Sequence, residues 1–143
     1  MHQCENLGFF HIRNIEGFNE DELLRDFKEF HALPDEIKHT LKQKVHNADN
    51  ANRYRGFVPF LPNADSHKEL LDMGCDYDTL TDDEKRQPLT EETPFPKEAE
   101  YAHIKAKFLR HYDFRLKLSL KLIEYIAIGL GKDRHFFKTW FEE

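Results

Sequence analysis

Between Lys97 and Leu130 the chain runs for 34 residues with no proline and a single glycine, Gly129. Such a stretch predicts one long helix, about 51 Å at 1.5 Å per residue, well beyond the average length. Tyr101, Ile104, Phe108, Tyr112, Ser119, Leu122, Ile126 and Leu130 fall on one face of it. Gly129 and Gly131 supply the stop. Leu116 to Leu130 is the most apolar part, but Lys117, Lys121 and Glu124 interrupt it. A membrane span needs about twenty mostly uncharged residues, so this reads as a core helix.

The remaining elements must be short. Gly8-Phe9-Phe10-His11-Ile12-Arg13 predicts a buried strand, with Phe10 and Ile12 on one face, and Asn14 to Gly17 its closing turn. Asn19 is placed to cap a helix whose first turn carries Glu20, Asp21 and Glu22. Its stripe is Leu23, Leu24, Phe27 and Phe30, and it must stop near Leu33 because Pro34 follows. A short helix restarts over Asp35–Leu41, and Asn47 to Asn52 forms a loop. Tyr54–Val58 reads as extended up to Pro59, whereas Lys68–Met73 fits a strand or a helical turn equally well. Gly74 to Pro96 reads as an irregular acidic connection with one helical turn at Asp82–Arg86. A last amphipathic piece, Asp133 to Phe141, carries Phe136, Phe137, Trp140 and Phe141.

Net charge narrows the partners. Twenty-one Lys and Arg against 27 Asp and Glu give −6, which disfavours nucleic acid and anionic membrane. Thirteen Phe argue for a packed core. Two cysteines, Cys4 and Cys75, make no disulfide framework, and the first residues show no leader, so a soluble, cytoplasmic chain is expected.

The residue patterns alone complete no active site. His111-Tyr112-Asp113 has the His-x-Asp spacing by which non-haem iron oxygenases present two ligands. In a helix, however, residues i and i+2 point about 200° apart, so a solvated helix face is the reading adopted. Asp35 and His39, at i and i+4, suggest a surface contact. Arg55-Gly56-Phe57-Val58-Pro59-Phe60 echoes an RNA-recognition strand, but Pro59 would remove a donor from it. No phosphate loop, Cys-x-x-Cys pair or nucleophile elbow occurs. No metal site is expected.

The order of certain segments is nonetheless familiar. Cys4-x-x-x-Gly8-Phe9-Phe10-x-Ile12-x-Asn14, Phe30-x-x-Leu33-Pro34-x-Glu36-x-Lys38, Tyr54-Arg55-Gly56-Phe57 and Ser66-x-Lys68-Glu69-x-x-Asp72-x-Gly74 occur in that sequence, before a long helix ending Ile126-Ala127-x-Gly129-Leu130-Gly131. Together they resemble the N-terminal region of non-haem Fe(II)/2-oxoglutarate-dependent oxygenases of the isopenicillin N synthase type. The resemblance implies an α+β fold: N-terminal helices and short strands with one long backing helix, the part that precedes the double-stranded β-helix, or jelly roll. It implies that residues 1–143 are a single N-terminal oxygenase domain, truncated at both ends, with the catalytic jelly roll absent. The family's His-x-Asp strand, distal His and Arg-x-Ser clamp have no counterpart here. Asn14-Ile15-Glu16-Gly17 departs from the family's Asn-His-Gly turn.

By this resemblance the chain is the substrate-mouth and scaffold portion of an oxidoreductase and not catalytically complete by itself. Fe(II) and 2-oxoglutarate are implied for the complete enzyme, and no cofactor for this chain alone. Tyr54, Arg55, Phe57 and Lys68 are implied as substrate-facing, each weighed against a packing role; Arg55 suits a substrate carboxylate through paired donors. The implied partners are a small-molecule substrate in the complete enzyme, and a C-terminal jelly roll or partner chain covering an apolar face. The alternative is a stand-alone, non-catalytic interaction protein that binds a partner through that face. A third reading, an independent metalloenzyme using His111, Asp113 and a distant His, fits poorly for the geometric reason above.

Overall fold

The structure, a computed structural model, describes residues 6–63, 65 and 67–141. Cys4 and Ser66, which open two of the signatures, lie outside the described residues. The chain divides into two compact units, residues 21–112 and residues 1–20 with 113–143. It is helix-dominated with two short strands, compatible with an α+β fragment.

In the larger unit, helix α1 (Glu20–His31) is followed after Pro34 by α2 (Asp35–Thr40). Pro34 takes φ −52° and ψ 143°, the extended geometry that ends one helix and sets up the next. Strand β1 (Gly56–Val58) pairs antiparallel with β2 (Leu70–Asp72) in the register Gly56 with Asp72, Phe57 with Leu71 and Val58 with Leu70. The ambiguous Lys68–Met73 segment is therefore a strand. A parallel bridge from Lys42 to Phe57 adds a third backbone to this small sheet. The acidic connection holds a 3₁₀ turn (Tyr77–Thr79) and helix α3 (Asp82–Lys85), whose Thr81 and Glu84 form a capping box. A 3₁₀ turn at Ala99–Tyr101 leads into the long helix α4 (His103–Gly129).

The core of this unit is Phe30, Leu33, Leu41, Phe57, Ile104 and Phe108, with Phe27, Ile37, Leu71, Met73, Phe95 and Tyr101 packed against it. Phe108 is its hub, with ring centroids 4.9 Å from Phe27, 5.3 Å from Phe30 and 6.2 Å from Phe95. Burying each such ring contributes about 1.5–3 kcal/mol.

Gly56 shows why the Tyr-Arg-Gly-Phe segment needs its glycine. Its φ is +132°, and a Cβ there would stand 2.6 Å from the Leu41 carbonyl oxygen. Removing the side chain lets the Phe57 N–H donate to that same oxygen at 2.7 Å.

The smaller unit contains the rest of α4 and helix α5 (Lys138–Phe141). Helix α4 ends in a Schellman motif: Gly131, at φ +70°, donates to Ile128, and Lys132 donates to Ala127. Phe18 stacks on Phe114 at 6.0 Å, and Phe137 packs edge-on against both Phe136 and Trp140.

Four expectations are corrected. Gly8–Arg13 is not a strand, and Phe9 is 72% exposed. An extended segment becomes a strand only when another edge supplies its hydrogen bonds, and among the described residues the only sheet is β1–β2. On α1, Leu24 is exposed while Asp26, at the stripe position between Leu23 and Phe30, is buried. His111 is not on a solvated face but is largely enclosed and bonded to Asp26. Asp35 pairs with Lys38 rather than with His39.

Candidate functional site

Three of the sequence signatures meet in the larger unit. Lys38, a buried cation, donates from Nζ to the His31 carbonyl at 3.2 Å, sits 3.7 Å from a Glu69 oxygen and lies over the Phe57 ring. Glu69 also accepts from His31 Nδ1 at 3.1 Å. The Lys of the Leu-Pro signature and the Glu of the Lys-Glu signature thus hold α1, α2 and the approach to β2 together. These are packing contacts, and they fix where Tyr54 to Phe57 can lie.

The same fixing continues from the other side. Gln43, itself buried, donates from Nε2 to the Tyr54 carbonyl at 3.0 Å and to Asp72 at 2.9 Å. Glu91 then reaches across from the acidic connection. Its carboxylate accepts the backbone N–H groups of Arg53, Tyr54 and Arg55 at 2.9, 2.8 and 3.1 Å. Burial alone would raise this carboxyl's pKa. The three backbone donors and the nearby Arg55 charge outweigh burial and hold it below the usual carboxylate range.

Arg55 runs from this clamp beside Gly74, where a Cβ would stand 3.3 Å from its Nε. With Gly74, Cys75, Tyr77, Glu91 and Tyr112 it lines a cavity of about 270 Å³. Its Nε is shielded from solvent and has no hydrogen-bond partner among the described residues. A guanidinium of this kind offers donors to an anion entering the cavity. Tyr54 is 49% exposed, Lys68 is exposed, and Phe57 is in the core at 2% exposure. The structure therefore gathers Tyr54, Arg55 and Phe57 on one stretch of backbone, with only Arg55 among the cavity's lining.

A second polar cluster escaped sequence reasoning. Asp26 accepts from His111 Nε2 at 2.9 Å and has Lys107 Nζ at 3.4 Å and Arg110 at 3.4 Å. Burial pushes its carboxyl up, but His111, Lys107 and Arg25 together draw it below the usual value. Glu29, bonded to Lys107 and His103, is lowered for the same reason. The readable signal was an acid on the apolar stripe of α1. Glu91, by contrast, is one acid among many in a polar linker, and nothing in the sequence singles it out.

Among the described residues, no group of three or more His, Cys, Asp or Glu side chains is arranged to hold a metal ion. His111 is already committed to Asp26. The residues described do not fit an iron site. No described helix is long and apolar enough to cross a membrane.

Over 139 residues the chain is 28% identical to isopenicillin N synthase of Streptomyces clavuligerus, a match spanning 94% of this chain and 41% of that protein. The resemblance to the N-terminal region of isopenicillin N synthase-type oxygenases stands. The fold is also similar to the crystal structure of a C-terminally truncated Neurospora crassa protein in its apo form. There the TM-score is 0.60 at 19% identity, over 88% of this chain and 42% of that one. The chain thus spans about two fifths of the length of either protein. No protein-family model matches it.

Proposed function

We propose that this chain is the N-terminal, substrate-mouth and scaffold portion of an Fe(II)/2-oxoglutarate-dependent oxygenase, with catalysis belonging to the complete enzyme. The observation that carries this reading is the similarity to isopenicillin N synthase along 94% of the chain but only 41% of the relative. On this reading α4 is the backing helix of a jelly roll that follows residues 1–143, and that jelly roll brings the iron and 2-oxoglutarate ligands.

Arg55 is the substrate-facing cation, with Tyr54 and Lys68 beside the mouth, and Phe57 supports them from the core. The unpartnered Arg55 Nε at the cavity favours a small-molecule substrate with an anionic group. Expression of the complete native reading frame, with succinate formation as the readout, tests this. Arg55→Gln is expected to raise the KM for an anionic substrate at least about tenfold, the cost of a lost charged hydrogen bond. Turnover of 2-oxoglutarate without substrate is expected to be unchanged. A complete frame with no iron-dependent conversion of 2-oxoglutarate would count against the proposal.

The interaction-protein reading is favoured by a different observation. In the smaller unit Leu116, Ile126 and Leu130, on one side of α4, are exposed, as are Tyr125, Ile128, Phe136 and Trp140, and exposed apolar side chains gathered in one unit suit a partner surface. On the oxygenase reading the jelly roll covers these side chains. Co-purification of a separate, defined chain bound at these side chains would favour the alternative.

A further inference from the structure

We propose that Glu91 is the positioning residue of the Arg55 site: its carboxylate clamps the backbone of residues 53–55 and so holds the Arg55 guanidinium beside Gly74 and toward the cavity. This rests on the reading of Arg55 as an anion-binding residue and adds to it a residue that no signature contains.

Three consecutive backbone N–H groups converging on one side chain make an anion nest, and this nest is filled from within the chain. The donors span 2.8 to 3.1 Å, and the acceptor lies 36 to 38 residues away in sequence. One of them is the N–H of Arg55 itself, so the clamp acts directly on the residue whose side chain lines the cavity. The neighbouring contacts converge on the same segment. Gln43 holds the Tyr54 carbonyl, and the Asn52 side-chain amide donates to the Glu92 carbonyl beside Glu91. Thr93 Oγ1 accepts the buried Gly74 N–H at 2.9 Å, tying the same acidic connection to the glycine that Arg55 passes. Residues 91–93 therefore hold both the backbone that carries Arg55 and the glycine its side chain passes.

Glu91 carries a negative charge close to Arg55, and this makes the test discriminating. Removing that charge, by itself, strengthens anion binding at the guanidinium. In a variant that stays folded, as the Phe108 ring signals report, a loss of binding on removal therefore marks lost positioning.

The experiment uses the 143-residue chain, glutarate as the anionic probe, and NMR of backbone amides and of the Arg55 Nε–Hε pair. In Glu91→Gln we expect the amide signals of residues 53–55 to move, the Arg55 Nε–Hε signal to take the value of a freely solvated arginine, and the Phe108 ring signals to stay. Glutarate affinity is expected to fall about tenfold, and Arg55→Gln is expected to abolish binding. An unchanged Arg55 Nε–Hε signal in Glu91→Gln, or unchanged or tighter glutarate binding, overturns the proposal. Should Glu91→Gln fail to fold, Glu91→Asp keeps the charge on a shorter arm that cannot span all three donors, and the same outcomes decide. If the unmutated chain does not bind glutarate, or Arg55→Gln binds it equally well, the reading of Arg55 itself fails. The clamp then stands or falls on the Nε–Hε signal alone.

Discussion

Asp26→Ala removes the most deeply buried charge of the larger unit. The carboxylate is 1% exposed, and it faces His111, Lys107, Arg110 and Arg25. Deleting one member of a buried ion pair costs about 3–5 kcal/mol, because the partner stays behind without compensation. Here two partners keep a second acid: Lys107 retains Glu29, and Arg110 retains Glu22. His111, largely enclosed, has only Asp26 as its acid among the ion pairs of the described residues. The expected loss is therefore at the low end, about 3 kcal/mol. Urea unfolding at pH 7, followed by far-UV circular dichroism, measures it. Asp26→Asn keeps an acceptor for His111 without the charge and should fall between the two. Glu29→Ala, at a partly exposed and more screened pair, should cost about 1 kcal/mol, less than Asp26→Ala. The Asp26 carboxyl is lowered in the folded state, so its stabilisation is full above the ordinary carboxylate pKa of about 4 and is lost as the pH falls through the folded value. The gap between the unmutated chain and Asp26→Ala should accordingly narrow in acid. A difference within about 0.5 kcal/mol at pH 7, the range of ordinary surface substitutions, would refute the reasoning.

Further outcomes follow from the same structure. Gly56→Ala combines a φ of +132° with a collision against the Leu41 carbonyl and should cost about 3 kcal/mol in urea titration; Gly131→Ala, in open space at φ +70°, should cost only about 1 kcal/mol. Phe108→Ala opens the core at its hub and should cost about 3–5 kcal/mol, read as a fall in the unfolding midpoint. Asp26, Glu29 and Glu91 all have lowered carboxyls, so overall stability should be level above about pH 5 and decline below the ordinary carboxylate range. An acid titration of the midpoint that rises instead would contradict all three.

Much of the helical frame was legible because it is punctuated locally. Pro34 separated α1 from α2, the proline-free run gave α4, and Gly131 marked its end. Thr81 and Glu84 fell in the stretch expected to hold one helical turn. The strands were less legible, because pairing is not local. Tyr54–Val58 and Gly8–Arg13 look equally extended in sequence, but only the first finds a partner, supplied by β2 and by the Lys42 bridge. Site residues divide in the same way. Arg55 entered through a motif, and the glycine beside it is explained by the Leu41 carbonyl, well upstream in the chain. Asp26 and Glu91 matter through contacts made 36 to 85 residues away, which no window of sequence displays. The resemblance supplied order and length, and the physics of buried charge supplied the residues it did not mention.

The central claim is that these residues are the N-terminal part of a larger oxygenase, and the native transcript tests it most directly. Sequencing it across both ends of this reading frame should show the frame continuing into a strand bearing His-x-Asp, then a later His and an Arg-x-Ser segment. A stop codon directly after Glu143 in that transcript would contradict the claim and turn the search to a partner for the exposed apolar residues of the smaller unit.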